Sequence, residues 1–298
     1  MSSAGQARAR TTRQKVAAQR AAASRARRRK RLLFASVGVS LAVVLAIVLV
    51  VIRPGQSAAP AAAAPGTAAQ AAAVSREVAS VPAGTFDSVG AGTATGLTAT
   101  SGQPPLTSDG KPEVLYMGGE FCPYCAAERW ALTAALSRFG TFTGLSLIHS
   151  SPTDVYPSTP TLSFYKSAYT SKYVAFTPVE WVGEQADATG PLGHVLLQNP
   201  TPEEAALFTK YGNQSIPFVD IGDQYLLPQA QYLPSALQGM SWSQVAAALR
   251  TPSSPVARDI DGAANIVTAA VCKMTNGQPG AVCSSPGVTA AAGSLQSQ

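Results

Sequence analysis

Cysteine and histidine are scarce in this chain, four and two among 298 residues. A structural zinc site takes four such ligands, so a tetrahedral site on Cys122 and Cys125 would have to recruit its second pair from Cys272, Cys283, His149 and His194. Acidic residues are missing from residues 1–31, which carry eleven Lys and Arg. The remaining chain holds eleven basic against sixteen acidic residues, so the pI near 9.3 describes a tail and not the folded part. The Ala/Arg/Ser composition of that tail argues for disorder. Charge is missing altogether from residues 32–52, and no cysteine lies near that run, which excludes a lipoprotein anchor. What the chain does have is 46% hydrophobic residues, ample for one large domain or two small ones.

As a helix the uncharged run would measure about 31 Å, against a hydrocarbon core of roughly 30 Å, and it reads as a transmembrane helix. The cluster Arg25, Arg27, Arg28, Arg29, Lys30 and Arg31 precedes it and only Arg53 follows closely. The positive-inside rule then places the N-terminus in the cytoplasm and the C-terminal domain outside it, as a single-pass cell-membrane protein. On this reading the basic tail is a topology signal that also suits anionic lipid, and no nucleic-acid role is assigned to it. A cleaved signal peptide is the competing reading, since Ser57-Ala58-Ala59 and Ala61-Ala62-Ala63 look like cleavage sites. The run is longer than the ~7 to 15 residues of an h-region, which favours an uncleaved anchor. Residues 53–75 are Ala/Pro-rich and read as a linker. The abundance of Ala, Gly, Val and Arg suggests a high-GC bacterial genome.

Residues 76–285 have a globular pattern, and residues 286–298 read as a disordered tail. The motif Cys122-Pro123-Tyr124-Cys125 lies between the apolar run Val114-Leu115-Tyr116-Met117 and a helical stretch over residues 126–139 that stops at Gly140. It therefore falls at a strand-to-helix junction. The first turn of a helix has free backbone N–H groups and partial positive charge, which favour a thiolate and make Cys122 a nucleophile. Cys125, one turn deeper, can attack a mixed disulfide formed by the first. A Cys-x-x-Cys in this setting reads as a thioredoxin-type redox motif.

Around the motif, Glu77-Val78-Ala79-Ser80-Val81 reads as a short strand and residues 90–109 as loop. Cys125, Leu132, Leu136 and Phe139 form one helical stripe, while Trp130 lies off it and calls for a second packing layer. Leu145-Ser146-Leu147-Ile148 reads as the second strand of a strand-helix-strand unit, with the cysteines at the carboxyl end of its first strand, the edge where open α/β sheets place their sites. Residues 150–200 give no clear pattern. Thr201-Pro202-Glu203-Glu204 is a capping box for a helix ending at Gly212. Ile216-Pro217 then opens a hairpin, Val219-Asp220-Ile221 and Gln224-Tyr225-Leu226-Leu227, around Gly222-Asp223. Ser241-Trp242-Ser243-Gln244 starts another helix, and Val256, Ile260, Ala264, Val267 and Val271 mark one over residues 255–272. Cys272 and Cys283 enclose a short turn-rich loop in an exported domain, so a structural disulfide is favoured over a relay pair.

These elements resemble the thioredoxin superfamily. The run Tyr116-Met117-Gly118-Gly119-Glu120-Phe121-Cys122-Pro123-Tyr124-Cys125-Ala126-Ala127-Glu128-Arg129-Trp130-Ala131-Leu132 closely resembles an uncharacterised prokaryotic family, domain of unknown function 929, over about residues 76–285. The resemblance implies an α/β, thioredoxin-like fold, which the chain order expects to carry an insertion between the second strand and the cis-proline hairpin and to follow the one transmembrane helix. It also implies that Cys122 attacks, Cys125 resolves, and Pro217 is the cis-proline facing them. One departure is that Val114-Leu115-Tyr116-Met117 lacks the buried acid common in the superfamily, which leaves Glu120 and Glu128 as the nearest candidates for proton transfer.

Other residues favour structural roles. His149 has no orienting partner that would make it a hydrolase base. Arg129 lies on the Cys125 side of the helix and is expected to pair with a carboxylate, with an effect on a thiol pKa as the alternative. Asn213-Gln214-Ser215 matches a glycosylation sequon of a kind that arises by chance. The functional expectation is a membrane-tethered extracytoplasmic thiol-disulfide oxidoreductase, needing no cofactor or metal. Its partners would be exported cysteine-containing proteins and a membrane redox partner such as a quinone-linked thiol oxidase. The alternatives are a metal-binding module for a soft ion such as Cu(I), and an adaptor domain with permanent disulfides.

Overall fold

The computed structural model describes residues 63–227 and 229–296. The basic tail, the uncharged run 32–52 and most of the linker lie outside them. Among the described residues no helix is long and apolar enough to cross a membrane.

The first helix, α1 (Ala68–Ala79), is closed by a capping box in which the Thr67 hydroxyl accepts from the Gln70 amide and the Gln70 side chain from the Thr67 amide. Ala71, Val74 and Val78 form its buried stripe. Two expectations change here. Residues 77–81 finish a helix and are not a strand, and the linker expected over 53–75 already contains folded chain. Alanine is the strongest helix former, and three small apolar residues at i, i+3 and i+7 are enough to dock a helix that has no large side chains.

After α2 (Ala83–Val89) come β1 (Leu97–Ala99), β2 (Thr107–Ser108) and β3 (Lys111–Gly119). On β3, Val114 and Tyr116 face one side of the sheet and Leu115 and Met117 the other, and all four are buried. That double burial is why the strand reads as an unbroken apolar run. The helix α3 (Pro123–Leu136) follows. Next, β4 (Gly140–Thr143) pairs with β7 (Ala168–Ser171), and β5 (Ser146–His149) with β6 (Pro160–Ser163), as two small sheets apart from the main one.

The chain rejoins the main sheet at β8 (Ala175–Ala186), which runs parallel to β3. This corrects the expected topology. Residues 145–148 do not complete the strand-helix-strand unit, and the insertion lies between α3 and the second sheet strand instead of after that strand. The alternation of Leu145 and Leu147 with polar neighbours suits a small hairpin against helices, whereas Pro178 and Glu180 disguise the central strand.

β9 (His194–Leu196) extends β8 antiparallel, and α4 (Pro202–Tyr211) leads to the hairpin β10 (Phe218–Ile221) and β11 (Tyr225–Leu227). Gly222 and Asp223 both have positive φ, 66° and 55°, and with Gln224 they form the loop between the paired residues Ile221 and Tyr225. The chain continues through α5 (Trp242–Ala248), α6 (Pro255–Met274), α7 (Gly280–Cys283), α8 (Pro286–Ala291) and β12 (Leu295–Gln296). Residues 286–296 are therefore folded, contrary to the expected disordered tail. Val288 and Ala291 of α8 are buried, and β12 pairs with β1.

The main sheet runs β12-β1-β11-β10-β3-β8-β9, with β2 beside β3, so its strands are mixed parallel and antiparallel. α3 and α6 pack on one face with Val114, Tyr116, Val219 and Ile221. Phe208 of α4 covers the other face with Leu115, Met117, Val179 and Phe218. Trp130 donates its indole N–H to the Pro160 carbonyl of β6 at 2.9 Å, so the second layer that Trp130 called for is the inserted hairpin. A disulfide joins Cys272, near the end of α6, to Cys283 of α7.

Candidate active site

β3 and β8 deliver the chain to the site. The Glu120 amide still donates across the parallel pair to the Val182 carbonyl at 2.8 Å, and the Ser151 amide donates to the Phe121 carbonyl at 2.8 Å, so the turn is held from both sides. Cys122 is the N-cap of α3, with Pro123 at the first helical position, where a missing N–H costs nothing. Its Sγ replaces the usual capping oxygen and accepts from the Cys125 amide at 3.4 Å. Across the gap, the Ile216 carbonyl lies 3.9 Å from Cys122 Sγ, and the Ile216–Pro217 bond is cis, as expected from the sequence.

The two thiols are unequal. Both are free, with Cys122 6% and Cys125 0% exposed. The hydrogen bond from the Cys125 thiol, with the amides of Cys125 and Tyr124 and the Arg129 charge, holds Cys122 below the ordinary thiol range despite its burial. Burial, and then the neighbouring Cys122, push the Cys125 thiol well up. Cys122 is thus the more acidic of the two thiols.

Beneath the thiols lies a buried ion pair. Arg129, one turn beyond Cys125 on α3, donates Nε and Nη2 to the two oxygens of Glu180 on β8 at 2.8 and 2.7 Å, and Nη2 also to the Gly119 carbonyl at 2.8 Å. Both side chains are fully buried. Burial disfavours the Arg129 charge, but Glu180 outweighs it and pushes the guanidinium pKa up. The sequence implies a carboxylate partner for Arg129 without showing which one. An acid inside the apolar run Val179-Glu180-Trp181-Val182 was the available signal.

The two proton-transfer candidates part company. Glu120 accepts from the Ser163 hydroxyl at 2.6 Å and faces a cleft, with burial raising its pKa. Glu128 points into the helical layer, where its Oε2 accepts from the Gln231 amide at 3.1 Å and burial lifts its pKa to about 8. Arg129 and Glu180 act electrostatically on Glu120, and neither carboxyl is shifted by the thiols.

The cleft beside the motif encloses about 1010 Å³, lined by Phe121, Ser151, Val155, Glu184 and His194 among others. His194 stacks on Phe121 at 3.9 Å between ring centroids, and Tyr156 meets Tyr124 edge-on at 5.7 Å. His149 sits against Trp242 at 4.5 Å with its pKa lowered by burial, and no hydrogen bond joins it to either thiol. Asn213 and Gln214 form an exposed positive-φ turn. Among the described residues no cluster of His, Cys, Asp or Glu is arranged to hold a metal ion.

A mixed α/β domain presenting two unequal thiols at the carboxyl end of a central strand is the class that fold and site define. The chain belongs to the family described as Domain of unknown function (DUF929), whose model matches residues 99–273. That span carries the motif, Glu180, Pro217 and Cys272 but neither α1 nor Cys283, so it is narrower than the 76–285 expected. No curated protein and no solved structure matches the chain.

Proposed function

We propose that this protein is a thiol-disulfide oxidoreductase of thioredoxin-like architecture, tethered to the membrane by residues 32–52 and acting outside the cytoplasm. The observation that carries this reading is the inequality of the two thiols, one capping a helix with its pKa depressed and the other sealed one turn below with its pKa raised. Such a pair suits attack by Cys122 on a disulfide, followed by release through Cys125. The strand order β8-β3-β10-β11, with a parallel β3/β8 pair, an antiparallel hairpin behind the cis-proline and helices on both faces, supports the thioredoxin-like assignment. Exported cysteine-containing polypeptides are the substrates this placement favours, and a quinone-linked thiol oxidase of the same membrane is the class of partner that would reoxidise the pair.

Equilibration of the full chain against glutathione or dithiol buffers tests the reading. The expected result is reversible oxidation of Cys122 and Cys125 at a potential inside the roughly −270 to −120 mV span of such oxidoreductases. A pair that resists mild dithiol points instead to a structural disulfide, and one that binds Cu(I) stoichiometrically without exchanging points to metal delivery.

A further inference from the structure

Two buried donors near Cys125 have no acceptor. The Tyr116 hydroxyl and Arg129 Nη1 are both without a hydrogen-bond partner, and both residues are 0% exposed. Buried polar atoms are rarely left unpaired, because desolvating them is costly, so the pair calls for a reason. Tyr116 reaches its position because Gly118 has no side chain: a Cβ there would lie 2.0 Å from the hydroxyl oxygen. Arg129 is fixed through its other nitrogens by Glu180 and the Gly119 carbonyl, which leaves Nη1 over. The guanidinium carbon lies 5.9 Å from the Tyr116 ring centroid. Cys125 shares the Arg129 face of α3, four residues before it, and its sulfur faces the Gly119 amide. Gly118 thus makes room for the Tyr116 hydroxyl in the buried layer beneath α3, where Arg129 and Cys125 both act on it electrostatically.

We infer that Tyr116 and Arg129 form an anion cradle for Cys125, holding as a thiolate the sulfur that has to react while it is out of solvent. The inference rests on the oxidoreductase reading. In the direction that reduces substrate, Cys125 loses its proton and attacks the Cys122 sulfur of the mixed disulfide. A Cys122–Cys125 bond forms, the bond from Cys122 to the substrate sulfur breaks, and the substrate leaves as a thiolate that takes up one proton. Two electrons pass from the dithiol to the substrate. The reduced resting state has no anion at Cys125, which is why the donors are idle there. Burial keeps the Tyr116 hydroxyl protonated and therefore a donor. The titratable and charged groups around the sulfur are Cys122 and Arg129 on α3, Tyr116 on β3, and Glu180 on β8, which is already engaged by Arg129.

The test compares wild type with Tyr116→Phe and Arg129→Lys in the full chain. Reaction with 5,5′-dithiobis(2-nitrobenzoate) releases one chromophore when Cys122 attacks and a second when Cys125 resolves, so the second phase times resolution. Carbon-13 labelling of cysteine Cβ follows the Cys125 titration directly by NMR. Tyr116→Phe is expected to raise the Cys125 pKa by about one unit and slow the second phase about tenfold at neutral pH, a unit of pKa being a tenfold change in thiolate. Its melting temperature should not fall, because no resting hydrogen bond is lost. Arg129→Lys keeps the charge without the fork and should fall between the two. A Tyr116→Phe protein that resolves and titrates like wild type overturns the cradle, as does one that is clearly destabilised. If wild type releases no chromophore, the oxidoreductase reading fails, and the Cys125 titration still decides the cradle.

Discussion

Cys122 and Cys125 sit one helical turn apart, yet a hydrogen bond from the Cys125 thiol, aided by the helix-start amides, depresses one thiol and burial raises the other. Their roles should therefore not be interchangeable. Cys125→Ser is expected to leave Cys122 able to attack and unable to let go, so covalent complexes with exported proteins should accumulate on non-reducing gels and vanish with dithiol. Cys122→Ser should trap little. Equal trapping by both variants would count against the assignment. This asymmetry was legible in the sequence, because it follows from position at a strand-to-helix junction. The second half of the site was not. Tyr116 read as one more apolar strand residue, and Glu180 lay in a segment whose register nothing local determined. Residues that meet only across strands leave no spacing to read.

α3 is buried from Cys125 to Leu136 on every side, by the sheet, by α6 and by the inserted hairpin. A helix so enclosed needs its one cation matched, and Glu180→Gln should cost on the order of 3 to 5 kcal/mol, measured by denaturant titration, since it strands a buried charge. A loss under 1 kcal/mol would mean that water reaches Arg129. Strongly periodic or capped elements, α3, α4, α5 and α6, were readable close to their observed limits. α1 and β8 were not, for opposite reasons: α1 has few large apolar side chains to mark it, and β8 carries a proline and a buried acid in its middle. The pairing of β8 with β3, which places the insertion, is a contact between distant segments and has no local signature.

Glu128, Asp220 and Asp261 are buried carboxyls with no cation bonded to them among the described residues. Burial lifts Glu128 and Asp261 to about 8 and Asp220 to about 7. Folded values above the unfolded ones mean that the folded state holds more protons, so this contribution to stability is complete below about pH 4 and is lost as pH rises through 7 to 8. Urea titrations at pH 5 and pH 8 should find the domain weaker at pH 8. Glu128→Gln and Asp261→Asn should each flatten that slope, and a pH-independent midpoint would refute the linkage. For the whole chain, the basic cluster before residues 32–52 predicts that residues 54–298 lie outside the cytoplasm. A reporter that works only in the cytoplasm, fused after Gln298, should stay silent, and activity would reverse the orientation.

The enclosure of α3 has a further consequence for timing. The helix is enclosed from Cys125 onward, and at its start Cys122 exposes only 6% of its surface. On the proposed chemistry the approaching sulfur has to do the travelling, threading between the Ile216 carbonyl and Tyr124 on a strand slim enough to enter. Mature, compact clients would seldom offer one. If the proposed activity and the proposed tether by residues 32–52 both hold, the client expected is an extended, not yet folded polypeptide on the outer side of the membrane.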